Sequence, residues 1–298
     1  DGTATSIGIR VNAPSTIGGT TPAARNVISG NTYLGISDQS GTGTQPSIYQ
    51  GNLFGLGADG STVLPGQDNG ILLSDAAQGT LIGGDTSDAR NLFGGQDFSA
   101  IYVTGNPLSG SPPDIRIQGN WFGTDWSGTR SRPNGRHPTS PTQSQPTISV
   151  FRGGRCGLRI GGLGPGEGNR IDSGAAAGVH IGTCEGAAIV GNRFSGNRIG
   201  IDLSPNSNPD GASNNDAADA DPGGNRMQNA PVVTLPSDFI GNGGGDSVVL
   251  NYLVDSAPAN SSYPLTIYFY LGGCHGGGRD LIASDTYGES DAQQARAF

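Results

Sequence analysis

Three stretches of this chain spell out the same parts in the same order. The first runs IGGTTPAARNVISGN from Ile17 to Asn31 and continues with SIYQGNLFG from Ser47 to Gly55. The second runs IGGDTSDARNLFGG from Ile82 to Gly95, then AIYVTGN (Ala100 to Asn106) and DIRIQGNWFGTD (Asp114 to Asp125). The third runs IGGLGPGEGNRIDSG from Ile160 to Gly174, then GVHIGT (Gly178 to Thr183) and AAIVGNRFSGN (Ala187 to Asn197). Ile17 and Ile82 are 65 residues apart and Ile82 and Ile160 are 78 apart; the extra 13 fall in a Pro/Ser/Thr-rich stretch between Gly128 and Ile148. Such self-similarity is the mark of a solenoid, whose repeats bury their apolar faces only against one another.

Within each block the apolar pieces are three to six residues long and alternate, as in Ile115-Arg116-Ile117 or Val179-His180-Ile181. That is the period of a strand, and the pieces are too short for helices. Gly, Asn and Pro stand between them, as expected in a chain of 298 residues holding 53 Gly and 19 Pro. Three short strands joined by such turns make one coil. The pairs Asn26/Asn52, Asn91/Asn120 and Asn169/Asn192 lie 26, 29 and 23 residues apart, about one coil each. Stacked asparagines can form an amide ladder along the axis, and the glycines supply bent or left-handed corners.

The phrases IGG...NVISGN, QGNWFGTDWSGT...PNG and GNRIGIDLSPN resemble those of secreted bacterial proteins with right-handed parallel β-helix repeats, the architecture shared with pectate lyases and polygalacturonases. The resemblance covers roughly residues 1 to 230 and implies an all-β fold with a right-handed parallel β-helix. It implies little about activity, because these phrases encode the coil. The segment from Gly200 to Val233 resembles the stretch that closes such a helix before a β-sandwich. Beyond it, SVVLNYLV (Ser247 to Val254) and PLTIYFYL (Pro264 to Leu271) alternate with period two, similar to the start of an immunoglobulin-like sandwich. Residues 231–298 are fewer than the roughly 100 such a sandwich uses, so an incomplete sandwich is expected there.

In the closing segment, Asn214, Asp216, Asp219 and Asp221 place several hard oxygen donors on one turning loop. Ca²⁺ takes such donors, although the spacing is not that of an EF-hand, and a solvated acidic turn is the other reading. Cys156 and Cys184, 28 residues apart, fall about one coil apart on adjacent rungs, and a rung spacing of about 4.8 Å fits a disulfide. Cys274 is left over, and the chain has no CxxC spacing for zinc.

The net charge is −9 and all 16 basic residues are Arg, with no basic tract. This argues against nucleic acid and acidic bilayers as partners. No apolar run is long enough for a transmembrane helix and no signal peptide is visible. A chain starting at Asp1 is read as processed, and a secreted or cell-surface location is expected.

Polygalacturonase-type hydrolases need a carboxylic acid and a carboxylate on one face, and their NTD, DD, GHG and RIK motifs are missing here. Pectate-lyase-like chemistry uses Ca²⁺ with an Arg or Lys base, and there is no lysine. Glu occurs only at Glu167, Glu185 and Glu289. The long insertion carries Trp126, Arg130, Arg132, Arg136 and His137, where an indole can stack on a sugar ring and guanidiniums can meet carboxylate or sulfate groups. Asp125 and Gly128 read as turn residues, and His180 is expected to point outward from its strand.

The first functional expectation is an extracellular structural or adhesive module that binds glycans or cell-surface polymers. The alternatives are a secreted polysaccharide lyase, hydrolase or epimerase with its site near residues 124–147, and a self-assembling surface or filament subunit, a homo-oligomer stacked through its open ends.

Overall fold

The computed structural model describes residues 6–41, 45–74, 78–105, 114–137, 144–206, 208–234, 249–273 and 277–298. From Ile7 to Leu203 the chain visits three parallel sheets in fixed rotation. The first holds Ile7–Val11, Leu34–Asp38, Asn69–Leu73, Ile101–Gly105, Ile148–Arg152, Ala177–Ile181 and Ile199–Leu203. The second holds Thr16–Gly18, Ile48–Gln50, Leu81–Gly83, Ile115–Gln118, Leu158–Gly161 and Ala188–Val190. The third holds Val27–Ile28, Leu53–Phe54, Leu92–Phe93, Trp121–Phe122, Arg170–Asp172 and Arg193–Ser195. Each strand pairs with its counterparts one turn earlier and one turn later, so the architecture is all-β and solenoid-like. Each sequence block accounts for two coils.

Alternation sends every second side chain inward, and the inward columns are continuous. In the second sheet Ile17, Tyr49, Ile82, Ile117, Ile160 and Ile189 are in register. Ile17, Ile82 and Ile160 thus occupy equivalent places, as the repeat requires. In the third sheet the inward column is Ile28, Phe54, Phe93, Phe122, Ile171 and Phe194. Its rings stack at 4.5 Å (Phe54 to Phe93) and 4.9 Å (Phe93 to Phe122). Residues from all three sheets close into one apolar core, and each fully buried aliphatic or aromatic side chain contributes about 1.5–3 kcal/mol.

The six asparagines form a single ladder. The backbone N–H and Nδ2 of Asn26, Asn52, Asn91, Asn120 and Asn169 each donate to the Oδ1 of the next asparagine, at 2.9–3.2 Å. From Asn52 onward, Nδ2 also donates backward to a carbonyl of the preceding coil: Ile17, Tyr49, Ile82, Ile117 and Ile160 in turn. Gly83, at φ +86°, explains why IGG repeats. A Cβ there would fall on the Gln118 carbonyl oxygen and 2.5 Å from Asn120 Oδ1.

Cys156 and Cys184 form a disulfide with Cα atoms 5.4 Å apart, as their spacing predicts. Closing a loop of 28 residues stabilises the fold by about 3–4 kcal/mol in the chain-entropy picture. Cys274 lies outside the described residues.

The C-terminal part is antiparallel. Val232–Thr234, Asn251–Leu253 and Arg296–Ala297 form one small sheet, and Leu265–Gly273 pairs with Gly277–Tyr287 in a hairpin. Tyr252, Val254, Ile267 and Tyr287 form its own apolar cluster. The Tyr270 hydroxyl accepts the Gly191 N–H at 3.0 Å, which places this hairpin against the last coil.

Candidate functional site

After Leu203 the chain leaves the sheets and crosses the end of the winding. Ala218 and Asp219 turn through left-handed backbone, at φ +64° and +60°. This swings three carboxylates together: one oxygen each from Asp216, Asp219 and Asp221 lies within 4.8 Å of the others. Asp219 is buried and anchored, its Oδ2 accepting from Gln228 Nε2 (2.7 Å), Ser256 Oγ (2.7 Å) and Ser261 Oγ (3.0 Å), and its Oδ1 from the Asn229 N–H (2.9 Å). Oδ1 of Asp216 and Oδ1 of Asp221 are buried with no hydrogen-bond partner among the described residues. Burial, then the Asp216 and Asp219 charges, push the Asp221 carboxyl above the usual carboxylate range.

Three converging carboxylates with two orphaned oxygens and no guanidinium in ion-pair contact among the described residues suit a hard cation. Ca²⁺ takes oxygens at about 2.3–2.6 Å, which allows ligand separations up to the 4.8 Å seen here. Asn214, two residues before Asp216, is exposed on the same loop. The amide that matters is Asn229, which donates to the carbonyl oxygens of Asp216 (2.8 Å) and Asp255 (2.5 Å) and accepts from the Asp216 N–H (3.0 Å). Its distance from the acidic loop along the chain hides this role from the sequence.

The expected insertion opens with a repeated feature. Thr124 and Ser131 bridge as Leu56 and Val63 do, so each of these coils carries the same small hairpin outside the third sheet. Asp125 is a turn residue, its Oδ1 accepting from Ser127 Oγ and the N–H groups of Thr129 and Arg130. Asp59 has the same role in the first hairpin, and hydrogen bonds from Thr62 and Ser61 hold its carboxyl down at about 2.

Trp126, Arg132 and His137 of the insertion each have their own partners. Trp126 is 42% exposed, its backbone N–H on the Gly60 carbonyl and the Arg25 guanidinium 4.3 Å over its ring. Arg132 ties the two hairpins together, Nε to the Ser61 carbonyl (2.5 Å) and Nη2 to Ser61 Oγ (3.3 Å). Arg130 and Arg136 are exposed. His137 meets the edge of Phe98 at 5.0 Å and sits beside Asp68 and Asp97, both raised mainly by burial. Residues 138–143 lie outside the described residues.

His180 does face away from the core, opposite to Val179 and Ile181, yet it is fully buried. Its Nε2 shares a hydrogen bond with Ser204 Oγ (3.0 Å), its ring lies 5.2 Å from Phe151, and Ser204 Oγ donates to Asp210 Oδ1 (3.0 Å). Desolvation lowers the imidazole to about 4, against a smaller upward pull from Asp210. The segment after Leu203 covers an outward strand position, which makes this histidine a neutral packing group.

The arrangement that sequence reasoning missed lies along the outside of the third sheet. Arg90 stands 3.9 Å and Arg170 5.2 Å over Trp121, and Arg193 follows Arg170 one rung on. The signal was present in the repeats, where Arg precedes the ladder asparagine at Arg25 and Arg90, and Trp121, Arg170 and Arg193 follow one.

Among the described residues, no helix is long and apolar enough to cross a membrane. In comparisons with known proteins, no family model matches the chain, no curated protein aligns with it significantly, and no solved structure matches it.

Proposed function

We propose that the chain is a right-handed parallel β-helix module of a secreted or cell-surface protein, with a structural and adhesive role that includes binding glycans. Right-handed crossover is the strong preference for parallel strands joined through another layer. One observation carries the reading: the buried polar groups serve the scaffold. Asn52, Asn91, Asn120, Asn169 and Asn192 hold coil to coil, and His180 is a buried packing group. Rigid repeat scaffolds of this kind present long surfaces for binding.

Asp216, Asp219 and Asp221 would hold Ca²⁺ where the winding ends. Asp219 bonds to Ser256 and Ser261 of the antiparallel part, so the ion would fasten that part to the coils. We read this part as the beginning of an immunoglobulin-like sandwich.

Incubating the intact chain with a panel of uronate polymers tests the reading. Retention on immobilised glycans with no new unsaturated or reducing ends supports the module. Turnover would replace it with the enzyme, for which Asp68 and Asp97 beside His137 are the best-placed acid and base.

A further inference from the structure

The outward positions of the third sheet run Val27, Leu53, Leu92, Trp121, Arg170 and Arg193, coil by coil. Leu53, Leu56 and Leu92 are buried in a small cluster against Val63 and Trp121. Around that cluster, arginines from four coils gather about two tryptophans of one coil. Arg25 lies on Trp126, Arg90 and Arg170 lie on Trp121, and Arg193 is exposed beyond them. Trp121, Arg170 and Arg193 line a groove of about 430 Å³, bounded by Asp280 and Leu281 of the C-terminal hairpin.

The charge here runs against the rest of the molecule. The chain has 25 Asp and Glu to 16 Arg, yet among the described residues only Arg170 of these four has a carboxylate partner, Asp172. Arg90 Nε is buried without a hydrogen-bond partner among the described residues. Desolvation and the neighbouring Arg170 charge both oppose the Arg90 cation, with Asp88 offsetting part of the cost. Among the described residues, Arg25 and Arg90 are thus held over indoles without a carboxylate in ion-pair contact, on an acidic protein, while Arg170 shares its charge with Asp172. From the coil of Arg25 to that of Arg193 is five rungs, about 24 Å at about 4.8 Å per rung, so the donors repeat along a line rather than around a point.

We propose that this row binds an anionic glycan chain laid along the winding axis, with Arg25, Arg90, Arg170 and Arg193 taking its carboxylate or sulfate groups and Trp126 packing against a sugar ring. The inference rests on the reading of the chain as a glycan-binding module. Guanidinium forks match carboxylates and sulfates in two-bond geometry, and an indole face suits the apolar side of a sugar. A polynucleotide fits less well. The net charge of −9 repels a dense polyphosphate.

Binding of the intact chain would be measured against four labelled probes: an oligogalacturonate, its fully methyl-esterified form, a sulfated dextran oligomer and a single-stranded DNA oligomer. The expected result is at least a tenfold preference for one or both charged glycans over the ester, weakening as salt rises. The tighter of the two identifies the group read. Arg193→Ala, at an exposed position, should weaken binding about three- to tenfold with an unchanged thermal midpoint, and Arg25→Ala with Arg193→Ala should weaken it further. Equal affinity for acid and ester, undiminished binding by both variants, or tighter binding of DNA would overturn the proposal. Should neutral glycans be retained as well as acidic ones, the arginine row fails while the module stands; should no glycan be retained, both fall.

Discussion

Asn91 donates both its backbone N–H and its Nδ2 to Asn120 Oδ1, at 3.2 and 2.9 Å, and accepts the same pair of bonds from Asn52. One buried amide therefore joins three coils, since its Nδ2 also reaches the Tyr49 carbonyl at 2.7 Å. Replacing Asn91 by Ala removes the Asn91 Oδ1 acceptor from the buried Asn52 N–H and from one N–H of its Nδ2, and the Asn91 Nδ2 donor from the Tyr49 carbonyl, and each such orphan costs about 1–3 kcal/mol. We expect Asn91→Ala to destabilise the fold by about 3–5 kcal/mol in urea unfolding. Asn26→Ala, at the exposed end of the ladder, should cost about 1 kcal/mol. Similar losses for the two would show that the ladder contributes little.

Gly83→Ala tests the corner. The new Cβ would meet the Gln118 carbonyl oxygen and Asn120 Oδ1 at a φ of +86°, so a loss above about 2 kcal/mol is expected. Gly30 has a similar φ of +74° but open space around it, and Gly30→Ala should cost only the left-handed penalty of about 1–2 kcal/mol. Thermal unfolding of the two variants side by side separates crowding from backbone strain.

His180 should make the protein sensitive to acid. Its folded value is depressed to about 4 from 6.5, so its contribution is complete above pH 6.5 and is lost as the pH falls through 4. The difference corresponds to about 3 kcal/mol at most. Asp202 lies close by, and its carboxyl, raised by burial and by Asp210, acts in the opposite direction as it protonates. Urea midpoints measured between pH 7 and pH 4 should fall more steeply for the wild type than for His180→Gln; parallel curves would remove His180 as the cause.

Calcium should raise the unfolding midpoint, by about 2.7 kcal/mol of stability at a hundredfold excess over the dissociation constant, and a chelator should reverse the gain. Asp221→Asn removes one of three mutually repelling carboxylates. The metal-free variant should therefore be more stable than the metal-free wild type and gain little from calcium. A wild-type midpoint indifferent to calcium would leave the cluster as an acidic turn.

What the sequence reveals follows from distance along the chain. The register of Ile17, Ile82 and Ile160, the asparagine ladder and the Cys156–Cys184 bridge repeat at coil length, and self-comparison finds them. The first strand of the antiparallel hairpin was legible in the alternation around Pro264 to Leu271, whereas its partner, Gly277–Tyr287, was not. The stretch after Gly123 read as an insertion because Trp126 and Arg132 obscure its likeness to residues 56–64, although both fold as the same hairpin. The burial of His180 was hidden because alternation tells which way a side chain points but not what later covers it. Asn229 and the Arg–Trp contacts join residues far apart in sequence, and no local pattern marks such meetings.

The corner between the second and third sheets is wide at residues 19–26, 84–91 and 162–169 and narrow at 51–52, 119–120 and 191–192, and this alternation sets how such a chain can lengthen. Gly51 sits tightly against the Gly19 carbonyl, with the Asp88 carbonyl of the following wide corner nearby, and Gly119 is likewise nested between Gly84 and Gly166. Narrow and wide corners interleave like teeth, so removing a single coil would set two of one kind face to face. Growth or shrinkage by pairs keeps the mesh intact, which makes the two-coil block the natural unit of duplication.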